Sequence, residues 1–148
     1  MAETLGSLCD KLTIIKLKQW HSQDEERLES LKNQQILIQK EINEFINNSL
    51  QGNIPIERLT FNSNKVFKKE GNIISEVTGN IGEAFSQLAQ ANCELWHEQE
   101  KVYDFENVPL DEKNIVVKKL AHLNLLRNKC IDQIDCQFKN HISNLNTL

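Results

Sequence analysis

A long run of apolar residues, spaced alternately three and four positions apart, places the strongest constraint on how this chain folds. The run extends from Ser7 to about Ser49, and such spacing puts side chains on one face of a helix. Its apolar members are Ile14, Leu17, Leu28, Leu31, Ile38, Ile42 and Phe45. The polar residues that occupy the remaining steps are Asp10, His21, Asp24 and Gln35. Sustained for about six heptads, this spacing predicts one coiled-coil-like helix over residues 7–49, capped by Ser7.

Two further segments carry the same spacing. The second predicted helix covers residues 73–104, and its glycines Gly79 and Gly82 are equally compatible with a break and with a continuous helix. The third covers residues 112–143, after a turn that ends in an N-cap at Asp111. Residues 50–72 are rich in turn-forming residues and are predicted to be an irregular connection.

The predicted fold is a single all-α domain over residues 1–148. No useful stretch alternates apolar and polar residues as a strand does. Helices joined in this way are typical of an antiparallel bundle, here with three long helices and room for short extra ones.

Composition excludes several classes of protein. The net charge is −4, with 17 basic and 21 acidic residues, and no basic stripe indicates nucleic-acid binding. The longest apolar runs are three residues, far too short for membrane insertion. The start of the chain, Met1–Thr4, lacks a signal-peptide pattern, and the four cysteines show no Cys-x-x-Cys spacing. We therefore expect a cytoplasmic protein with reduced thiols.

The dipeptide Trp-His occurs twice, in a chain with only two tryptophans and four histidines. The copies are Trp20-His21 and Trp96-His97, and each histidine is followed three residues later by an acid, Asp24 and Glu100. Because both copies fall in predicted helices, the bundle is predicted to bring two imidazoles and two carboxylates together.

Other polar residues lie on otherwise apolar helix faces, where burying an unpaired polar group costs about 1–3 kcal/mol. We predict that both tryptophan-flanked imidazoles point into a shared interior and meet the amide and guanidinium groups of the third helix. The candidate cluster consists of His21, Asp24, Asn92, His97, Glu100, Asn124, Arg127 and Asn128.

Three interpretations of this cluster stay open. It is a buried polar layer that fixes the packing of the helices, or a pocket for a small polar or anionic ligand with His21, His97 and Arg127 as donors, or a metal site. Glu94-x-x-His97 has the spacing of di-iron ligands, and Cys93 with His97 suits zinc. The first copy, however, has Lys18 where the matching glutamate is needed. We therefore assign no metal ligand and expect no cofactor.

Three segments also carry a family likeness. They are Leu12–His21 (LTIIKLKQWH), Ala91–Glu100 (ANCELWHEQE) and Leu123–Asp135 (LNLLRNKCIDQID). In this order they resemble the uncharacterised bacterial family designated domain of unknown function 4254, over most of the chain apart from residues 50–72. The family pattern carries Asn where this chain has Lys16. The resemblance implies a bacterial cytoplasmic protein whose gene lies among those for surface-polysaccharide assembly, and it implies no established activity.

The leading functional prediction is a protein that binds a small polar or anionic ligand, or an accessory protein, linked to bacterial surface-polysaccharide metabolism. His21 and His97 would act as donors or acid–base groups, oriented by Asp24 and Glu100, and Arg127 would clamp an anion. The alternative is a structural or scaffolding homodimer, because the predicted first helix is longer than its partners and leaves apolar surface uncovered. A metal-dependent or acid–base enzyme comes third.

Overall fold

The chain folds into four α-helices in the computed structural model, which describes residues 2–61 and 76–145. The helices are α1 (Leu5–Trp20), α2 (Glu25–Leu50), α3 (Ile81–Tyr103) and α4 (Leu110–Leu145), with single 3₁₀ turns at Ile56–Arg58 and Phe105–Asn107. The described residues contain no strand, so the all-α prediction is confirmed for them. The predicted arrangement of three long helices is not confirmed, because the predicted helix over residues 7–49 is two helices.

The break between α1 and α2 is produced by local capping. The His21 N–H still donates to the Leu17 carbonyl at 3.0 Å and ends α1. Asp24 then takes an extended backbone conformation, and its carboxylate accepts from the Glu26 N–H at 3.2 Å. An acid at the N-cap, followed by acids in the first turn, stabilises a helix start because it satisfies free N–H groups and complements the helix dipole. The pairing of His21 with Asp24 on one helix face is therefore wrong.

Helix α1 contacts each of the other three helices. It packs on α2, and the residues of α2 that carry the three-four spacing are buried or half-buried. The helix lengths therefore no longer supply a reason to expect a dimer.

The N-terminus of α1 lies three residues earlier than the predicted cap. Thr4 is the N-cap, and its side chain accepts from the Ser7 N–H at 3.2 Å. Ser7 returns the contact by accepting from the Thr4 N–H at 2.8 Å. This reciprocal capping box satisfies two donors that would otherwise lack partners, so Ser7 takes part in the cap from the third helical position.

The other two helix starts are also set by turn residues. Helix α3 begins at Ile81, because Gly79 has a φ of 100° and interrupts any helix that precedes it. The predicted start at Ile73 lies outside the described residues. Helix α4 begins at Leu110, where the Glu112 N–H donates to the Pro109 carbonyl at 2.9 Å. Asp111, the predicted cap, therefore lies in the first turn.

The core lies between α1, α3 and α4, and the end of α2 and the turn after it close one end. Phe45 of α2 packs on Phe138 of α4 with ring centroids 6.1 Å apart. The most completely buried core residues are Leu59, Ala84, Leu88, Ala91, Cys130 and Ile134. No helix in the described part of the chain is long and apolar enough to cross a membrane.

Candidate functional site

Five of the eight residues of the predicted polar cluster fall into two groups that lie in different environments. Asn92 and Arg127 belong to an interior group, together with Asp10 and Thr13 of α1. His21, His97 and Glu100 lie near Trp96 on the surface. The prediction of one shared interior site is therefore wrong.

The interior group is organised around the buried carboxylate of Asp10. Arg127 of α4 donates to both of its oxygens, from Nε at 2.8 Å and from Nη2 at 2.5 Å. Asn92 of α3 donates from Nδ2 to Asp10 Oδ1 at 3.0 Å. One carboxylate thus joins three helices, and the two-pronged arginine contact fixes its orientation.

Asn92 is only 1% exposed and is incompletely satisfied. Its amide nitrogen also donates to Thr13 Oγ1 at 2.7 Å. Its Oδ1 is buried and has no hydrogen-bond partner among the described residues. An unsatisfied buried oxygen costs about 1–3 kcal/mol.

The Arg127 guanidinium is only partly enclosed. Its hydrogen bonds with Asp10 raise the pKa of the guanidinium above its usual range, while partial burial opposes this effect. A guanidinium carries five N–H donors, and Asp10 takes two of them. The group therefore keeps donor capacity where its exposed side meets solvent.

That exposed side opens into a groove of about 360 Å³ between α1, α2 and α4. Lys11 and Lys18 bring positive charge to it, and Glu41 brings a negative charge. Its walls are aliphatic and are formed by Ile14, Ile15, Leu37 and Ile38. The sequence assigned Arg127 to an anion site, and the structure supplies a cavity beside it.

The surface group joins the two Trp-His copies to each other. The His21 ring stacks on the Trp96 ring, with centroids 4.6 Å apart and planes 11° from parallel. His97 meets His21 edge-on, with centroids 6.5 Å apart. The imidazoles therefore come together as predicted, but both are exposed rather than directed inward. Trp20 is 85% exposed.

The acids near the histidines have other partners. Glu100 accepts from Trp96 Nε1 at 2.9 Å, and Asp24 caps α2. Their predicted role of orienting His21 and His97 is therefore not what the hydrogen bonds show.

The remaining amides of the predicted cluster belong to neither group. Asn124 is exposed and donates from Nδ2 to the Leu120 carbonyl of its own helix at 3.1 Å. Asn128 is half-buried on the same helix. Neither side chain completes the Asp10 network.

The Glu94-x-x-His97 motif, which was considered as a metal site, has its glutamate hydrogen-bonded within α3. Glu94 accepts from Gln90 Nε2 at 2.8 Å, and Cys93 is exposed. Across residues 2–61 and 76–145, no group of three or more His, Cys, Asp or Glu side chains is arranged to hold a metal ion.

A second buried carboxylate, Asp135, lies at the end of the third segment that carries the family likeness and was not among the predicted site residues. It is 3% exposed and accepts from the Gly6 N–H at 2.7 Å and from the Thr4 hydroxyl. Burial raises its pKa to about 6, although these two hydrogen bonds oppose the rise. The close approach requires glycine, because a Cβ at Gly6 would lie 2.5 Å from the Ile131 carbonyl oxygen.

A third buried carboxylate, Glu98, holds α3 against α4. Lys119 approaches it at 3.0 Å and Lys101 at 3.1 Å. Burial alone would raise the pKa of Glu98, but the hydrogen bonds from Lys119 and Lys101 outweigh it and lower the pKa. Burial and the pairing with Lys119 of α4 distinguish Glu98 from a surface acid. Both depend on how α3 packs on α4, which the spacing of residues in the sequence does not reveal.

Comparison with family models, with curated proteins and with solved structures finds no match to this chain. The resemblance to domain of unknown function 4254 therefore stays a prediction that rests on the three quoted segments.

Proposed function

We propose that this chain binds a small polar or anionic ligand, or acts as an accessory protein, in bacterial surface-polysaccharide metabolism, and that the ligand occupies the groove beside Arg127. The metabolic setting, with a bacterial and cytoplasmic location, rests on the family resemblance alone. The placement of the ligand rests on the geometry of the groove.

The observation that carries the proposal is the fixed position of the Arg127 guanidinium at the edge of the groove. Asp10 holds it through two hydrogen bonds, so little side-chain freedom is lost when an anion binds. Lys11 and Lys18 line the same groove. Asp10 and Glu41 also line the groove, and Lys11 is paired with Glu3. The small excess of positive charge favours a ligand of low negative charge over a polyanion.

The test is calorimetric titration with inorganic phosphate and with a hexose phosphate. Arg127 also stabilises the fold, so the informative change is Lys18→Gln, which removes a groove charge with no buried partner among the described residues. We expect it to weaken hexose phosphate binding about 3- to 10-fold. Lys118→Gln, the same charge change at an exposed position outside the groove, should leave the affinity unchanged.

Two outcomes count against the proposal. One is the absence of heat change with either probe, and the other is equal weakening by the Lys18 and Lys118 changes. The second would show a general charge effect rather than a site.

A structural role is the second candidate, favoured by the buried carboxylate that Arg127 and Asn92 share across three helices. In this case the polar layer fixes helix packing and no ligand is needed. We propose with it a homodimer formed through α2, whose Ile36 and Leu37 are exposed. Monomeric behaviour in light scattering at micromolar concentration would contradict the dimer.

A further inference from the structure

The groove beside Arg127 differs from an ordinary anion site in its walls. Ile15 is buried, Ile14 and Ile38 are half-buried, and Leu37 is 59% exposed at its edge. Charged and aliphatic side chains thus line the same groove. A free inorganic anion satisfies the charged groups but leaves this apolar surface in water.

We propose that the ligand of this groove is an anionic amphiphile, a single apolar chain with a phosphate or carboxylate head. The inference rests on the proposed ligand-binding function and specifies its ligand. The head contacts Arg127 and Lys18, and the chain lies between Ile14 on α1 and Leu37 and Ile38 on α2.

The size of the groove suits a ligand with one apolar chain. Its volume of about 360 Å³ is near the lower end of the range for small-molecule pockets, roughly 300–1,000 Å³. We therefore propose a single-chain ligand that binds as a monomer from solution, and binding to a membrane surface is an outcome that the test distinguishes.

The charge arrangement favours a head of low charge. Arg127 offers hydrogen-bond donors from a fixed position because Asp10 holds it. Lys18 adds a mobile charge, whereas Lys11 is already paired with Glu3. The negative charge of Glu41, which also lines the groove, disfavours an extended anion but not an apolar chain.

The test is a series of butyl, hexyl and octyl phosphates, titrated calorimetrically below their micelle concentrations, with inorganic phosphate as the reference. Each buried methylene should tighten binding by about fourfold. Each two-carbon step should therefore lower the Kd about 16-fold until the groove is filled. An anionic vesicle containing phosphatidic acid, tested by co-sedimentation, should not capture the protein.

A matched pair of surface variants tests the apolar wall. Leu37→Ser should reduce the gain per two-carbon step, because the exposed leucine covers the chain. Ile36→Ser, on the same helix and 53% exposed but outside the groove, should leave the series unchanged. Both positions are at the surface, so folding should be retained in each variant.

The outcomes separate this inference from the proposed function. If phosphate and hexose phosphate bind but chain length has no effect, the amphiphile is ruled out and the ligand site stands. If no member of the series and neither polar probe binds, both proposals fail. Capture by vesicles without binding of monomeric alkyl phosphates would overturn the inference in favour of a membrane surface.

Discussion

Asp10 and Arg127 lie 117 residues apart in the chain, and two hydrogen bonds of 2.8 and 2.5 Å join them. The contact places a carboxylate from the first helix inside the bundle and a guanidinium from the last helix at its edge. It is at once the centre of the interior polar network and the fixed side of the groove.

Asp10→Asn should lower the free energy of unfolding by about 2–3 kcal/mol, since it leaves a half-buried guanidinium without its counter-charge. Urea denaturation measures the change. Glu29→Gln removes a negative charge from an exposed position on α2 and should change stability by less than about 0.5 kcal/mol. Equal effects of the two changes would show that the Asp10 pair adds nothing specific.

Gly6→Ala should destabilise the protein by about 1–3 kcal/mol, even though alanine is the better helix former. The new Cβ would lie 2.5 Å from the Ile131 carbonyl oxygen, so α1 would have to move away from α4. Gly82→Ala is the control, because a Cβ there meets nothing within 4 Å. Gly82→Ala should stabilise the protein by up to about 1 kcal/mol. Thermal unfolding measures both variants, and the midpoint temperature should fall for Gly6→Ala and rise for Gly82→Ala.

Asp135 should make the protein more stable as the pH falls from about 7 towards 4. In the folded protein burial raises its pKa to about 6, against an ordinary value of 3.8. Between these values the folded state binds more protons than the unfolded state, so acidification favours folding. The lowered pKa of Glu98 acts in the opposite direction at lower pH.

A variant isolates this contribution of Asp135. The stability of Asp135→Asn relative to the natural chain should be higher at pH 7 than at pH 4.5 by about 2 kcal/mol. Urea denaturation at the two pH values gives the comparison. A difference that does not change with pH would show that Asp135 ionises normally.

Asp24→Ala should destabilise the protein by about 1 kcal/mol, because it removes the N-cap of α2. Gln23→Ala, one residue earlier and exposed, should have almost no effect. A loss of helical circular dichroism at the low-temperature baseline would show whether the first turn of α2 frays. Equal stability of the two variants would contradict the assigned cap.

The double change His21→Ala, His97→Ala should lower stability by less than about 1 kcal/mol. Both imidazoles are exposed, and their contacts are a stack and an edge contact rather than buried hydrogen bonds. A loss of several kcal/mol in denaturation would show that they support the fold.

The helical class could be predicted because burial on one face of a helix requires apolar residues at a regular spacing. Asp24 shows where that reasoning fails. An acid that fits the three-four spacing can equally be the N-cap of a new helix. Glu25 and Glu26, which follow Asp24, were the available signal that α2 starts at this point. The three-four spacing of apolar residues continues through the break between α1 and α2, because the two helices pack on each other. The apolar spacing alone therefore did not reveal the break.

The site was predictable in part for similar reasons. Asn92 and Arg127 were found because polar groups on apolar faces need partners. Their partner Asp10 was noted as a polar residue in the register of the first predicted helix, and it was not assigned to the cluster. The meeting of His21 with Trp96 was predicted as convergence of the two copies. Whether the imidazole rings face the interior depends on how each helix is rotated about its own axis when it packs on the others. Local sequence does not determine that rotation.

The dependence of α1 on α4 has a consequence for how the protein is made. The backbone N–H of Gly6 donates a hydrogen bond to Asp135, which lies 129 residues further along the chain. Asp10 accepts from Arg127, which lies 117 residues further along. A ribosome releases the first helix long before either partner has been synthesised. These contacts of the N-terminal helix therefore cannot form until α4 has emerged from the ribosome, and a chain truncated before α4 would leave the Asp10 carboxylate without its guanidinium partner.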